Sequence, residues 1–340
     1  MTDIICEKRG HAGCITLNRP KALNALNEGM VLAIAAALNE WSQDDAVRHV
    51  VIRGAGEKAF CAGGDIKAIY EGRKAGQTGE LLAFWAEEYR LNVAIRAYPK
   101  PYVALIDGLV MGGGVGVSLH GSHPLGGDHF QFAMPEVSIG FFPDVGATYL
   151  LPRLPHHIGH FLALTGERAG IDDALALGLV HAHVPSARFD ELAQALESAE
   201  NVDAVIAAFA IAPVPLRKGP LLKEAAAIDA CFSGDNVGEI LRRLDAADSP
   251  FCAHIAAIMR KHSPASMAVA LRQMQLGRSL DMVSAMRLEY RIVSRLYKSH
   301  DFAEGVRARV IDKDQQPKWS PEAVEVEAFF AALPEGDLQI

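Results

Sequence analysis

Two glycine runs, Gly63-Gly64 and Gly112-Gly113-Gly114, each follow a short apolar segment, and they constrain the fold of this chain more than any other feature. Glycine tolerates positive φ and lets another group approach the backbone closely, so each run predicts a tight turn out of a strand. Val47 to Arg53 is a β-branched run that reads as a buried strand. Tyr102 to Asp107 reads as a second strand, and the stretch from Val115 to His120 after the later glycines reads as a helix. Upstream, residues 4 to 18 alternate around Gly10-His11-Ala12-Gly13 as a hairpin would, and Leu26 to Trp41 carries apolar residues at helical spacing. Strand, glycine turn and helix, repeated in that order, predict an α/β fold with crossover connections.

Pro185 marks a change. From residue 186 onward Ala, Leu, Arg and Glu dominate at helical spacing, which predicts an α/β core over 1–185 and a helical extension over 186–340 packed on it. Ser263 followed by Pro264 is a helix start, with Ser as cap and Pro in the first turn, and Asp281 to His300 reads as one long amphipathic helix. Half of the 340 residues are apolar, ample for a large core, and no repeat or low-complexity tract interrupts them.

A net charge of −8 argues against nucleic acid as a partner, since neutralising phosphates needs a basic surface. The cysteines Cys6, Cys14, Cys61, Cys231 and Cys252 are scattered, with no CxxC pair, and read as reduced thiols. The first residues lack the pattern of a leader, and charges or turns break every apolar run before it reaches a membrane span. The expected location is the cytoplasm.

Two glycine turns side by side can aim two backbone N–H groups at one oxygen, forming an oxyanion hole, and a helix beginning near Gly113 would add its positive end. Each turn can equally be only a turn. Glu136 in Met134-Pro135-Glu136 and Asp144 in Phe142-Pro143-Asp144 are a second candidate pair. Prolines fix the backbone beside them, and neighbouring phenylalanines would desolvate a carboxylate, raising its pKa toward that of a useful base. The alternative is two solvated turn acids. Ser118 and His120 lack a nucleophile elbow, and Cys61 reads as a buried, inert thiol. His120-x-x-His123 and His156-His157-x-x-His160 lack the zincin pattern, so no metal is expected.

Five segments together resemble the crotonase (enoyl-CoA hydratase-like) superfamily: Asn18-Arg19-Pro20-Lys21-Ala22-Leu23-Asn24-Ala25-Leu26, Lys58 to Lys67, Lys100 to Gly116, Phe132 to Glu136, and Gly140 to Gly146. The resemblance implies the spiral of ββα units typical of that superfamily, here with a helical C-terminal region. It also implies an acyl-CoA substrate, with coenzyme A as part of the substrate and no separate cofactor. Gly116 stands where hydratases of the superfamily carry a second glutamate, and Asp144 stands where they usually have glycine. Those departures, with Glu88 before Tyr89, Asp301 to Ala308 and Pro317-Lys318-Trp319, are similar to a thioester-hydrolysing branch acting on a 3-hydroxylated acyl-CoA in valine breakdown.

Under that resemblance the N–H groups of Gly64 and Gly113 receive the thioester oxygen. Glu136 attacks the carbonyl or activates a water, and Asp144 orients the hydroxyl or that water. Glu88 joins Gly113, Glu136 and Asp144 against the acyl group. Coenzyme A lies along Lys21, Ala22 and Leu23 and along Ala62, Gly64, Asp65, Ile66 and Lys67, with Lys21 or Lys67 near its phosphates. Rival readings are a hydratase or isomerase on the same fold, or a CoA-binding protein without catalysis. Relatives of this superfamily are often trimers or pairs of trimers, so a homo-oligomer is an open expectation.

Overall fold

The computed structural model describes residues 2–211 and 219–340. The chain forms two compact units, each discontinuous in sequence: Met1–Gly64, Glu87–Phe132 and Ala169–Gly219 make one, and Asp65–Ala86, Ala133–Arg168 and Pro220–Ile340 the other.

The first unit is built on two sheets. One has six strands in the order β1(Ile4–Arg9), β2(Ala12–Leu17), β3(His49–Gly54), β5(Tyr102–Ile106), β7(His123–Gly126) and β10(Ala182–His183). The other has four, in the order β4(Ala59–Cys61), β6(Leu109–Met111), β8(Gln131–Ala133) and β9(Ala169–Gly170). From β3 to β8 the chain alternates between the sheets, laying one strand in each per turn of a spiral. The β1–β2 hairpin is antiparallel and turns through Gly10 (φ +57°) and His11, so Ala12 and Gly13 belong to β2 and not to the wider turn expected. β2, β3, β5, β7 and β10 run parallel. β5 is buried along its whole length, which explains its unbroken apolar sequence.

A parallel sheet needs cover on its faces. The helices Phe189–Glu197 and Val202–Phe209 supply some of it: Leu192, Leu196, Val202 and Ile206 share one cluster with Val51, Val103, Leu105 and Leu125. Residues 186–211 therefore belong with the sheet, and the boundary expected at residue 185 does not coincide with a compact unit. The helix Glu28–Ser42 begins two residues later than its periodicity suggests, because Asn27 caps it by accepting the Met30 N–H at 2.9 Å. Its Trp41 occupies the space beside Gly13, where a Cβ would come within 2.3 Å of the indole.

In the second unit the described elements are helical apart from the last residue of β8. Ser263 caps Pro264–Gly277 as expected, accepting the Ser266 N–H at 3.0 Å. The long helix expected over 281–300 forms as Met282–Leu296, capped by Asp281, and ends before Ser299, which caps a separate helix, His300–Val306. A cluster of rings sits in this unit: Trp85 stacks on Phe141 at 5.8 Å, and Phe141 lies 4.8 Å from Phe142 and 5.0 Å from Phe302.

Candidate active site

In the first unit the glycine runs meet. The Gly64 amide nitrogen lies 3.5 Å from the point where a Cβ on Gly113 would stand, and the Gly113 nitrogen lies 3.7 Å from the equivalent point on Gly63. Gly63 (φ +103°) and Gly112 (φ +45°) supply the left-handed turns that bring these backbones together. The helix after the second run is a single turn, Gly113–Gly116, and not the longer helix expected over 115–120. Its dipole is correspondingly small, so any oxyanion stabilisation here rests on the two N–H groups themselves.

Glu88 stands at the same place. It is buried on the helix Thr78–Arg96, with Oε1 2.5 Å from the Cβ position of Gly113. One turn further along that helix, Asn92 fills the space at Gly116: its Nδ2 and Oδ1 lie 2.6 and 2.9 Å from where a Cβ there would be. The position at which hydratases of the superfamily place a glutamate therefore has no room for any side chain unless Asn92 moves.

The early segment lies beside the first glycine run. Leu26 N–H donates to the Gly63 carbonyl at 2.8 Å, and Ala62 N–H donates to the Leu23 carbonyl at 3.0 Å. Leu23 (φ +51°) and Asn24 (φ +56°) both adopt left-handed conformations, uncommon for residues other than glycine. The buried Asn24 amide holds this shape. It accepts from Arg19 N–H at 3.0 Å and donates to the Ala55 and Ala59 carbonyls at 2.9 and 3.0 Å. Lys21 and Ala22, in the short turn Pro20–Ala22, are exposed beside it.

Asp65, Ile66 and Lys67 fall in the second unit, at the start of the helix Ile66–Lys74. Asp65 caps it by accepting the Ala68 N–H at 3.2 Å. Lys67 is exposed, 3.9 Å from Glu71 one turn on.

The second unit also carries Glu136 and Asp144, on one loop. Both are buried, at 8% and 5% exposure, which discards the reading of two solvated turn acids. Burial, with the negative charge of Asp144 as the lesser cause, drives the Glu136 carboxyl well above the usual carboxylate range. Glu136 opens the turn Glu136–Ile139, and Gly140 (φ +72°) ends it against the Asp301 carbonyl, which a Cβ would approach to 2.1 Å. Asp144 precedes Val145 (φ +52°), a β-branched residue in a strained conformation, and Gly146 (φ +89°).

Residues far along the chain hold that strained turn. Glu289 accepts the Gly146 and Thr148 N–H groups, each at 2.9 Å. Gln273 Nε2 donates to the Pro143 carbonyl and to Thr148 Oγ1, each at 2.6 Å. Burial and then the Asp144 charge push Glu289 up to about 8, so it is largely neutral at pH 7 and adds little charge beside Asp144. Asn92, Gln273 and Glu289 escape sequence reasoning. Each sits in a helix as one more polar residue, and only burial distinguishes it.

The rival nucleophiles are spent. Ser118 Oγ donates to the Gly114 carbonyl at 2.6 Å, and burial pushes the Cys61 thiol up to about 12. His157 Nδ1 pairs with Asp229 at 2.7 Å, and among the described residues no group of three or more potential ligands could hold a metal.

The sequence profile of the enoyl-CoA hydratase/isomerase family matches residues 12–328. The "3-hydroxyisobutyryl-CoA hydrolase, mitochondrial" of Rattus norvegicus is 43% identical over 350 residues, spanning 99% of this chain and 91% of that protein. The protein of the same name from Homo sapiens is 43% identical over 326 residues, spanning 94% and 84%. Those names place the relatives in a mitochondrion, which departs from the cytoplasm expected here. No described helix is long and apolar enough to cross a membrane.

Two solved structures carry other names. A carnitinyl-CoA dehydratase from Mycobacterium thermoresistibile matches with a TM-score of 0.93 at 42% identity, over 99% of this chain and 98% of that one. An enoyl-CoA hydratase from Rhodobacter sphaeroides matches with a TM-score of 0.91 at 41% identity, over the whole of both chains. With the profile spanning nearly its whole length and the alternating two-sheet spiral in place, this chain belongs to the enoyl-CoA hydratase/isomerase family and has the crotonase fold.

Proposed function

We propose that this protein hydrolyses 3-hydroxyisobutyryl-CoA to 3-hydroxyisobutyrate and free coenzyme A, a step of valine breakdown. The observation that carries this is a buried, high-pKa carboxylate, Glu136, beside Asp144, together with a glycine at 116 whose side-chain space Asn92 fills. Relatives named for that hydrolysis, at 43% identity over almost the whole chain, support it.

The chemistry follows from charge. As the thioester carbonyl is attacked its oxygen becomes negative, and the N–H groups of Gly64 and Gly113 receive it. One such donor stabilises the transition state by about 3–4 kcal/mol. Glu136 either bonds to the carbonyl carbon, giving an anhydride that water then opens, or takes a proton from the attacking water. A raised pKa makes the ionised Glu136 carboxylate the stronger base and nucleophile. The departing thiolate has the pKa of an ordinary thiol, about 8.5, so it leaves without a strong general acid. One reactive carboxylate is therefore sufficient. Asp144 orients the water or the substrate hydroxyl, and Glu88 borders the acyl group at Gly113. Coenzyme A follows residues 21–23 and 62–67, with Lys21 or Lys67 at its phosphates.

A hydratase is the second reading, favoured by the names of the two solved structures. Free-thiol release from 3-hydroxyisobutyryl-CoA, beside the absorbance of crotonyl-CoA, separates the two. Wild type should release thiol and leave crotonyl-CoA unchanged, and Glu136→Gln should lose about 10²–10⁴-fold in rate while staying folded. Hydration of crotonyl-CoA without thiol release would replace the hydrolase reading. Tight CoA binding with neither reaction would leave a binding protein.

A further inference from the structure

The helix Thr78–Arg96 meets the one-turn helix Gly113–Gly116 twice, each time where a glycine leaves room. Glu88 Oε1 occupies the first gap, 2.5 Å from the Cβ position of Gly113. Asn92 occupies the second, with Nδ2 2.6 Å from the Cβ position of Gly116. Asn92 is completely buried, and among the described residues neither its amide nitrogen nor its amide oxygen has a hydrogen-bond partner. A buried amide left unbonded costs folding free energy, so an apolar side chain of similar shape would serve the fold better. The contrast with Asn24 is direct: that buried amide makes three hydrogen bonds.

We propose that Asn92 is a specificity-determining residue, whose amide bonds a hydroxyl on the acyl chain beyond the thioester carbonyl. The inference rests on Gly113 as a donor to the thioester oxygen. From there, Asn92 stands one helical turn along from the group facing Gly113, a spacing of about 5.4 Å. That is of the order of the reach from a thioester oxygen to a hydroxyl on the third carbon. The chemistry also matches. A hydroxyl donates and accepts, and an amide offers both Oδ1 and Nδ2, whereas a carboxylate only accepts. An acyl group without the hydroxyl would leave both amide atoms buried and unbonded, and a site built this way rejects such analogues strongly.

The test compares 3-hydroxyisobutyryl-CoA with isobutyryl-CoA, which lacks only the hydroxyl, in wild type, Asn92→Leu and Asn92→Ala. Wild type should favour the hydroxylated substrate in kcat/KM, and both variants should shrink that preference by about 10²-fold or more. Thermal unfolding of Asn92→Leu should show a Tm equal to or above that of wild type. A preference unchanged in both variants, or both substrates impaired equally with a lowered Tm, would overturn the assignment and leave Asn92 structural. Calorimetric affinities for the two thioesters, measured with the Glu136→Gln protein and its Asn92→Leu double variant, keep the test independent of turnover. If wild type releases no thiol, the hydrolase reading fails. The ratio of these affinities still decides Asn92: a collapsed ratio upholds it and an unchanged ratio overturns it.

Discussion

Glu88 Oε1 stands 2.5 Å from the point where a Cβ on Gly113 would be, so a carboxylate and a backbone N–H donor share one small volume. Gly113→Ala would force the two apart. The colliding atom is the far end of a side chain, so the folding cost should be modest, about 1–3 kcal/mol. The catalytic cost should be larger, because the displaced turn carries the Gly113 N–H. We expect kcat to fall about 10²–10³-fold, read from thiol release beside a denaturant melt. Activity within a few-fold of wild type would remove Gly113 from the oxyanion hole.

Glu289 should make stability depend on pH. Its folded pKa is about 8, raised above the ordinary glutamate value, so the native state binds a proton that the unfolded state has released. Its contribution is fully present below the unfolded pKa, about 4.3, and is lost as pH rises through about 8. Glu136 is shifted the same way, so the slope belongs to both. Glu289→Gln should flatten the fall in stability between these limits and Glu136→Gln should flatten it separately, as denaturant midpoints at a series of pH values would record. A slope identical to wild type in Glu289→Gln would contradict the assignment.

Asn24→Ala removes three hydrogen bonds and leaves the buried Ala59 carbonyl without this donor. It should destabilise by roughly 2–4 kcal/mol. Because Asn24 shapes the segment expected to lie along coenzyme A, KM for the thioester should rise more than kcat falls. A stability loss with no change in KM would separate that segment from CoA binding.

The tertiary positions of the carboxylates explain why the site was only half legible. Pro135-Glu136 and Pro143-Asp144 are visible as motifs, but neither their burial nor the raised pKa of Glu136 is local. The Phe141–Phe302 contact and the Gly146–Glu289 hydrogen bond each join residues more than a hundred positions apart. A sequence window sees Glu289 as one acid in a charged helix, although the turn it holds follows Asp144 directly.

The sequence by itself determined the β1–β2 hairpin, the strands β3 and β5, the glycine turns and several helix starts, because β-branched runs, positive-φ glycines and helix caps act within a few residues. It also carried the family, through five motifs in order. Only the tertiary structure decided where the compact units divide, since residues 186–211 complete the cover of a sheet whose strands begin far upstream. The same holds for the helix after Gly113 and the occupant of the space at Gly116. Helix length, desolvation and close packing depend on what the rest of the chain brings near, and that is fixed by the fold as a whole.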